Sequence, residues 1–348
     1  MTSSPLKSMA RFKRFAIGFL ATVSMFAAAN APSWASSAEI KLGHDMPESS
    51  PHHQATVRWK ELVEERTGGD VTVTIFPSSI LGSATQMVEQ VQAGALEAAM
   101  LPNAQIAPIA ADLSVLDLPF LFPSRDIAHD VVDGPIGDII LKSLDGTGIV
   151  GLAHWESGFK QFTGSFEIRT PKDYAGHKIR TMPSQVVQEQ FRAFDAVPTQ
   201  IAFSELYSAL QQGVVDGQEN PISTISAGKL YEVQPYITLS DHAFLGEIFM
   251  LNQSFFEGMD EGTRGILVTA AEEARDYQRQ LIQENEQQQL EMFKKAGVQI
   301  IELTPEARAA FIEASKPVYE WYKKEEGGAI LDQIEAEVQK LSAAAGNQ

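Results

Sequence analysis

The stretch "LQQGVVDGQENP", Leu210 to Pro221, has the pattern of a helix end, a glycine stop and a short strand that breaks off at a proline. The earlier stretch "VQAGALEA", Val91 to Ala98, matches its first eight residues in kind: a helix end, Gln, a stop Gly, two apolar residues, an acid and a small residue. We therefore expect two similar lobes. Each lobe should contribute a strand that ends at the same place, near residues 101–103 in one and 218–220 in the other.

The sequence around these two stretches alternates short apolar runs with helical patterns, which is typical of α/β units whose strands pair in parallel. The predicted strands are 39–44, 71–76, 95–101, 177–182, 198–202 and 214–220. The predicted helices are 52–69, 83–94, 184–194 and 204–213. A further helical pattern runs from Asp260 to about Lys295, and at about 1.5 Å per residue this helix would be long enough to cross both lobes.

Residues 1–35 have the pattern of a secretory signal peptide. The stretch before the apolar run "FAIGFLATVSMFAAA" carries four cations, Lys7, Arg11, Lys13 and Arg14. Small residues follow the run at alternate positions in "NAPSWASSA". A membrane anchor would need about 20 apolar residues, and this run is shorter. We expect cleavage after Ala35, with Ala31 as the alternative, and a mature protein in the periplasm.

The composition restricts the possible partners. The chain has no cysteine, which excludes a lipid-modified N-terminus, a disulfide framework and a cysteine-liganded metal. Its formal charge of −18 becomes −22 without residues 1–35, because that segment holds four cations and no acids. Nucleic acid and anionic lipid are therefore not expected as partners. If the ligand is an anion, a local cation must overcome the field of the whole protein.

The sequence lacks the common catalytic motifs. It contains no Gly-x-Ser-x-Gly elbow, phosphate-binding glycine loop or His-Glu-x-x-His motif. His52 and His53 are adjacent at a predicted helix start, where neighbouring side chains diverge, so a surface position is expected for them rather than a metal site. His242 is expected to be structural. His44 ends a predicted strand and is a candidate for a ligand pocket.

Arg180 and Asn220 are the candidates for an anion site. In open α/β sheets ligands bind beyond the carboxyl ends of strands, and Arg180 in "HKIRTMP" lies near such an end. Its planar guanidinium can hold a carboxylate through two hydrogen bonds, and Asn220 offers an amide from a neighbouring strand end. A surface ion pair is the alternative for Arg180.

Several longer motifs occur in a characteristic order. They are "GHKIRTM", "FSELYSALQQGVVDGQENP" and "KLYEVQPYITLSDH", together with "FPSSILG", "DLPFLF" and "WESGFKQF". From Glu39 to about Ala343 the chain resembles the solute-binding proteins of tripartite ATP-independent periplasmic (TRAP) transporters, of the type that takes four-carbon dicarboxylates. The resemblance implies an α/β, two-lobed periplasmic binding protein fold (type II-like), with crossing segments and a long helix spanning both lobes.

The expected division of the chain follows from this resemblance. The segments are 1–35 as signal peptide, 36–156 with 246–285 as lobe I, 157–245 with 286–315 as lobe II, and 316–348 as C-terminal helices packing on the lobes.

The resemblance also implies roles for individual residues. Arg180 would form the main salt bridge to the solute carboxylate, with Asn220 donating a hydrogen bond near it. Many relatives have a second arginine where this chain has Lys160, and a lysine there keeps the charge but loses the planar fork. Trp155 and Phe203 are candidates for pocket walls, and Asn103 is a further candidate.

The predicted function is capture of a small organic-acid anion, without catalysis or cofactor, and its delivery to the membrane permease subunits of a TRAP transporter. A four-carbon dicarboxylate would use both Arg180 and Lys160 and is the first candidate. A uronic or other sugar acid is the second, and a zwitterion such as ectoine is the third. The competing class is an exported enzyme on a two-lobed scaffold. We expect a monomer.

Overall fold

The computed structural model describes residues 38–345, so the predicted signal peptide lies outside the described residues. The strands are β1 (Ala38–His44), β2 (Val71–Phe76), β3 (Ala98–Pro102), β4 (Ile149–Gly164), β5 (Lys178–Thr181), β6 (Val197–Gln200), β7 (Gly217–Pro221), β8 (Tyr236–Leu239), β9 (Phe244–Asn252) and β10 (Gln299–Glu302). The α-helices are α1 (Pro51–Arg66), α2 (Ala84–Gln92), α3 (Asn103–Ile106), α4 (Arg125–Val132), α5 (Pro135–Lys142), α6 (Gln185–Ala193), α7 (Phe203–Gln211), α8 (Ile222–Ala227), α9 (Gln253–Glu257), α10 (Glu261–Lys295), α11 (Pro305–Glu325) and α12 (Ala329–Ala345). Short 3-10 helices cover Ala111–Asp117, Pro171–Tyr174 and Leu230–Glu232.

The strands form one mixed sheet in the order β2-β1-β3-β9-β4-β7-β5-β6, with β8 also paired to β4 and β10 to β8. The predicted parallel pairing holds for β1 with β2 and β3, for β5 with β6 and β7, and for β8 with β10. The central strands β4 and β9 run antiparallel to their neighbours. β4 changes partners along its length: it pairs with β9 up to Phe159 and with β7 from Lys160 onward.

The two matching stretches of sequence adopt the same structure 119 residues apart (98 to 217). The corresponding pairs are Gln92 and Gln211 at the helix ends, Gly94 and Gly213 with φ of 70° and 67°, Ala98 and Gly217 at the strand starts, and Pro102 and Pro221 at the strand ends. The two glycines adopt the left-handed conformation that lets a helix stop in one residue. The two units therefore share one backbone plan.

The strand predicted from Val214 begins three residues later, at Gly217. Val214 is 48% exposed, because the turn at Gly213 carries it across the surface. Asp216 completes the turn, since its carboxylate Oδ2 accepts a hydrogen bond from the Lys178 N–H at 2.8 Å. The side chain of Asp216 thus takes a backbone donor that a longer strand would have used.

The long helix α10 has 35 residues and begins at the predicted place. The Asp260 side chain caps it by accepting a hydrogen bond from the Thr263 N–H at 3.0 Å. Two buried tryptophans attach to its carbonyl groups: Trp59 Nε1 donates to Leu267 O at 3.2 Å and Trp155 Nε1 to Ala271 O at 3.0 Å. These contacts fix α10 against α1 and β4.

Apolar clusters cover both faces of the sheet. One packs α1 and α10 against β1, β2 and β3, and another packs α2, α4, α5 and α12 around β3 and β9. In residues 38–345 no helix is both long and apolar enough to span a membrane.

Candidate functional site

A small cavity, of about 20 Å³, lies beyond the strand ends of the two matching units. Its lining includes equivalent residues from both units, since Gln105 and Thr224 stand 119 residues apart. Met46 and Met182 also line it, and each lies between a parallel strand and a proline. The polar groups of the lining are Asp45, Gln105, Ser157, Arg180, Asn220, Thr224 and Glu247. We call this space the inner cavity.

Arg180 enters the inner cavity from the end of β5 and is 2% exposed. Its Nε donates to Ile201 O at 2.9 Å. Its two Nη groups make no hydrogen bond to any residue of the described chain. Burial lowers the pKa of Arg180 to about 10, which Asp45 and Glu219 partly offset, so the side chain is a cation at neutral pH. A fixed guanidinium with both outer nitrogens free is arranged to hold a carboxylate through two hydrogen bonds.

Asn220 lines the inner cavity from β7, which pairs in parallel with β5. Its Nδ2 donates to the side-chain Oε1 of Gln218 two residues earlier on the strand. That bond orients the amide and leaves its Oδ1 and second N–H for a ligand. The predicted pair, Arg180 and Asn220, therefore meets in one cavity.

Two carboxyl groups line the inner cavity together with Arg180. Glu247 on β9 accepts a hydrogen bond from Ser157 Oγ at 2.6 Å and lies 3.2 Å from His52 Nε2. Its Oε2 is buried without a hydrogen-bond partner among residues 38–345. Burial and the nearby Glu247 raise the pKa of Asp45 to about 7. The inner cavity therefore combines one cation with two carboxyl groups that can bind hydrogen-bond donors.

His52 is buried, and not on the surface as the sequence suggested. Its Nε2 lies 2.8 Å from Ser157 Oγ, behind the wall of the inner cavity. Burial lowers the pKa of His52, but the carboxylates of Glu247, Asp45 and Glu156 together raise it above its ordinary value. The carboxylates beside it thus favour the protonated form of His52.

Lys160 lies outside the lining of the inner cavity. Its side chain is fully buried and its Nζ lies 2.7 Å from Glu219 Oε1. His242 Nε2 and Gln190 Nε2 contact the other oxygen of that carboxylate, at 2.6 and 3.0 Å. Burial would raise the pKa of Glu219, but Lys160 and His242 lower it to about 2. The ammonium predicted to read a second solute carboxylate is therefore paired within the protein.

Two other predicted residues also lie in the core. Trp155 is fully buried, its ring packs on Phe249 and its N–H bonds to α10. His44 is fully buried with Nε2 at 3.1 Å from His53 Nδ1. Burial, with His53 and His52, lowers the pKa of His44 to about 3, so it is neutral. Neither residue lines the inner cavity.

Phe203 lines the inner cavity, as predicted for a wall residue. Asn103 is fully buried and lies behind the wall of the inner cavity. A Cβ on Gly246, which stands between two lining residues, would fall 2.5 Å from Asn103 Nδ2. Neither amide atom of Asn103 has a hydrogen-bond partner among the described residues. Asn103 is therefore next to the cavity wall formed by Leu245 and Glu247.

Sequence reasoning missed the acidic side of the cavity, although two signals were present. Asp45 follows His44 in "GHDMP", where the same Met-Pro pair occurs as after Arg180 in "IRTMP". Glu247 is a single acid inside the apolar run "FLGEIFML". An unpaired acid in such a run indicates a buried functional or structural carboxylate. Among residues 38–345 no group of His, Cys, Asp and Glu is arranged to hold a metal ion.

Comparison with known proteins identifies the class. The profile described as bacterial extracellular solute-binding protein, family 7 (DctP) matches residues 42–325. The chain belongs to this family. A curated DctP-family relative, the C4-dicarboxylate-binding periplasmic protein DctP of Rhodobacter capsulatus, is 34% identical over 311 residues, which cover 89% of this chain and 93% of the relative.

Two solved structures share the fold of this DctP-family chain. A TRAP periplasmic solute-binding protein from Desulfovibrio salexigens with bound orotic acid has a TM-score of 0.84 and 36% identity, covering 87% of this chain and 99% of that one. The sugar acid binding protein DctPAm from Advenella mimigardefordensis, in complex with galactonate, has a TM-score of 0.84 and 32% identity, covering 87% and 98%. The predicted α/β fold with its long helix and the predicted TRAP solute-binding class are confirmed.

Proposed function

We propose that this TRAP receptor binds a monocarboxylate that carries hydroxyl or N–H donors, with sugar acids as the leading class, and delivers it to membrane permease subunits. The observation that carries the proposal is the charge of the inner cavity. Arg180 is the cation in its lining, and Asp45 and Glu247 are the acids. One solute carboxylate pairs with the guanidinium, and the rest of the solute has to donate hydrogen bonds.

A four-carbon dicarboxylate suits this cavity less well than the sequence suggested. Its second carboxylate would approach Glu247, and like charges in a buried site cost several kcal/mol of binding free energy, on the order of the 2–5 kcal/mol seen for unpaired buried charges. Lys160, which would have neutralised it, is bound to Glu219. A hydroxyl group at the same place would instead donate to the free Oε2 of Glu247.

The ligands of the similar proteins cover both classes. Orotic acid and galactonate, bound in two of the similar structures, each have one carboxyl group together with N–H or O–H donors. The Rhodobacter relative is named for C4-dicarboxylates, so a C4-dicarboxylate is the second candidate. A zwitterion such as ectoine, whose cation would meet the two acids, is a further outcome of the test.

Calorimetry on ligand-free protein, refolded from denaturant, tests the proposal with galactonate, succinate and ectoine. We expect galactonate to bind most tightly. Glu247→Gln should weaken galactonate binding about tenfold, since a charge-assisted hydrogen bond becomes a neutral one, and should strengthen succinate binding. Glu302→Gln, which removes an exposed acid at the end of β10, is the matched control.

Other results would replace the proposal. If succinate binds most tightly and Glu247→Gln does not change its affinity, the solute is a dicarboxylate. If ectoine binds most tightly, the acids read a cation. Turnover of any of these compounds would establish an enzyme in place of a receptor. Arg180→Ala should lose at least about a hundredfold for every acid that binds.

We also propose the expected lobes, the periplasmic location and a monomeric state. The lobe division at residue 156 is supported by the change of partners within β4, which falls three residues later, at Phe159 and Lys160. The location is supported by the signal pattern in residues 1–35 and by the periplasmic relatives.

A further inference from the structure

A second cavity, of about 140 Å³, adjoins the inner one. Its walls come from the start of α2 and from the segments that follow β5 and β6. Gln105 and Phe203 line both cavities, so these two side chains stand between them. We call the second space the outer cavity.

The outer cavity presents hydrogen-bond donors at the start of α2. The Ser83 side chain caps the helix by accepting from the Gln86 N–H, and the Gln86 side chain accepts from the Ser83 N–H. The N–H groups of Ala84 and Thr85 make no hydrogen bond to any residue of the described chain. The first N–H groups of a helix carry partial positive charge and bind oxygen acceptors.

A second observation points independently to a ligand. Thr181 is 1% exposed and lines the outer cavity, and its Oγ1 is buried without a hydrogen-bond partner among residues 38–345. A buried hydroxyl without a partner costs about 1–3 kcal/mol of folding free energy, so a protein rarely retains one. A solute oxygen in the outer cavity would satisfy it.

The outer cavity also differs in charge from the inner one. Its lining residues are Ser, Ala, Thr, Gln, Pro, Ile and Phe, without any charged side chain. A solute oxygen there, neutral or anionic, would meet donors and no repelling acid. The acids Asp45 and Glu247 belong to the inner cavity.

We propose that the outer cavity is a length-reading subsite that binds an oxygen acceptor at the far end of the solute. The proposal rests on the proposed function, in which the near carboxylate pairs with Arg180. It specifies the solute as an acid longer than four carbons, whose chain passes Gln105 and Phe203 and ends at the Ala84 and Thr85 N–H groups and Thr181 Oγ1. The oxygen is a hydroxyl of the monocarboxylate.

The test compares a four-carbon acid, erythronate, with two six-carbon acids, galactonate and galactarate, by calorimetry on refolded protein. Thr181→Val keeps the side-chain shape and removes the hydroxyl. We expect it to weaken both six-carbon acids about tenfold and to leave erythronate within twofold. Galactonate binding more tightly than galactarate would identify the far oxygen as a hydroxyl, and the reverse order would identify a carboxylate and overturn the monocarboxylate proposal.

A second variant removes a backbone donor at the start of α2 and leaves the side chains of the inner cavity unchanged. Ala84→Pro removes one N–H at the first helical position, where proline is tolerated, and should also weaken only the six-carbon acids. Thr72→Val, at an exposed position on β2, is the matched control. Since the Thr181 hydroxyl lacks a partner, Thr181→Val should leave the ligand-free protein at least as stable as wild type.

The outcomes separate the two proposals. If Thr181→Val changes the affinity for four- and six-carbon acids equally, or changes neither, the subsite is disproved while the monocarboxylate proposal stands. If the wild-type protein binds none of the three acids, the proposed function fails and the subsite fails with it.

Discussion

Lys160 and Arg180 are both buried cations, but their surroundings give them different roles. Lys160 is paired with Glu219 at 2.7 Å, whereas Arg180 lines the inner cavity. The sequence could not distinguish them, because both residues belong to strands and both occur in family motifs. What separates them is a cross-strand pairing: Lys160 lies beside Pro221 in the β4–β7 register, two residues along β7 from Glu219.

Lys160→Met should therefore affect folding more than ligand choice. Removing the ammonium leaves the carboxylate of Glu219 buried without its main partner, which typically lowers the free energy of unfolding by about 3–5 kcal/mol. Urea unfolding of the ligand-free protein measures this loss. Unchanged stability together with a selective loss of succinate binding would instead return Lys160 to the solute site.

Asp45 should make the stability of the protein depend on pH. Its pKa rises from an ordinary 3.8 to about 7, through burial and Glu247, with His52 and Arg180 acting in the opposite direction. Between about pH 4 and pH 7 the unfolded chain releases this proton while the folded protein keeps it. The free energy of unfolding therefore falls as pH rises through this window, by about 2 to 4 kcal/mol from this group.

Asp45→Asn removes that contribution, so its stability relative to wild type should increase from pH 4.5 to pH 7.5. Urea unfolding of ligand-free protein at the two pH values provides the comparison, and Asp70→Asn, at an exposed position, is the control. A stability difference between Asp45→Asn and wild type that is the same at both pH values would show that Asp45 titrates normally.

At the scale of elements, the sequence predicted best where caps and stops are local. α10 was expected from Asp260 and starts at Glu261. This start was predictable because the capping Asp and the helical pattern that follows it are adjacent in the sequence. β4 is different. Nearly all of its 16 residues are buried, so its sequence has no alternation to show a strand, and its change of partners depends on distant segments.

The glycine stop of the matching units gives an element-scale prediction. Gly213 has a φ of 67° with no atom near its missing Cβ, so Gly213→Ala adds only backbone strain. We expect it to lower the free energy of unfolding by about 1–2 kcal/mol. Gly265→Ala, in the exposed first turns of α10, should raise it by about 0.5–1 kcal/mol, since alanine favours the helix.

Chemical denaturation of the two alanine variants and wild type measures both shifts. A Gly213→Ala protein as stable as Gly265→Ala would mean that the left-handed stop is not required at the end of α7.

At the scale of the whole molecule, the net charge of the protein repels the anion that the proposed site attracts. The chain without residues 1–35 carries a formal charge of −22, yet the proposed solute is an anion. Salt screens the long-range repulsion more than it screens a buried contact to Arg180. Association of the solute should therefore accelerate slightly or stay constant as salt is added. Stopped-flow rates that fall steeply with salt would show that a local positive field guides the solute instead.

The two matching units share a backbone plan but differ in side chains. Ala99, Met100 and Leu101 occupy the strand end in the first unit, and Gln218, Glu219 and Asn220 occupy the equivalent positions in the second. The solute should therefore contact the two units in a fixed order. The acid first meets the unit that carries Asn220 and the neighbouring Arg180, and contact with the apolar unit comes afterwards. Changes confined to the first unit should therefore alter the dissociation rate of the solute more than its association rate.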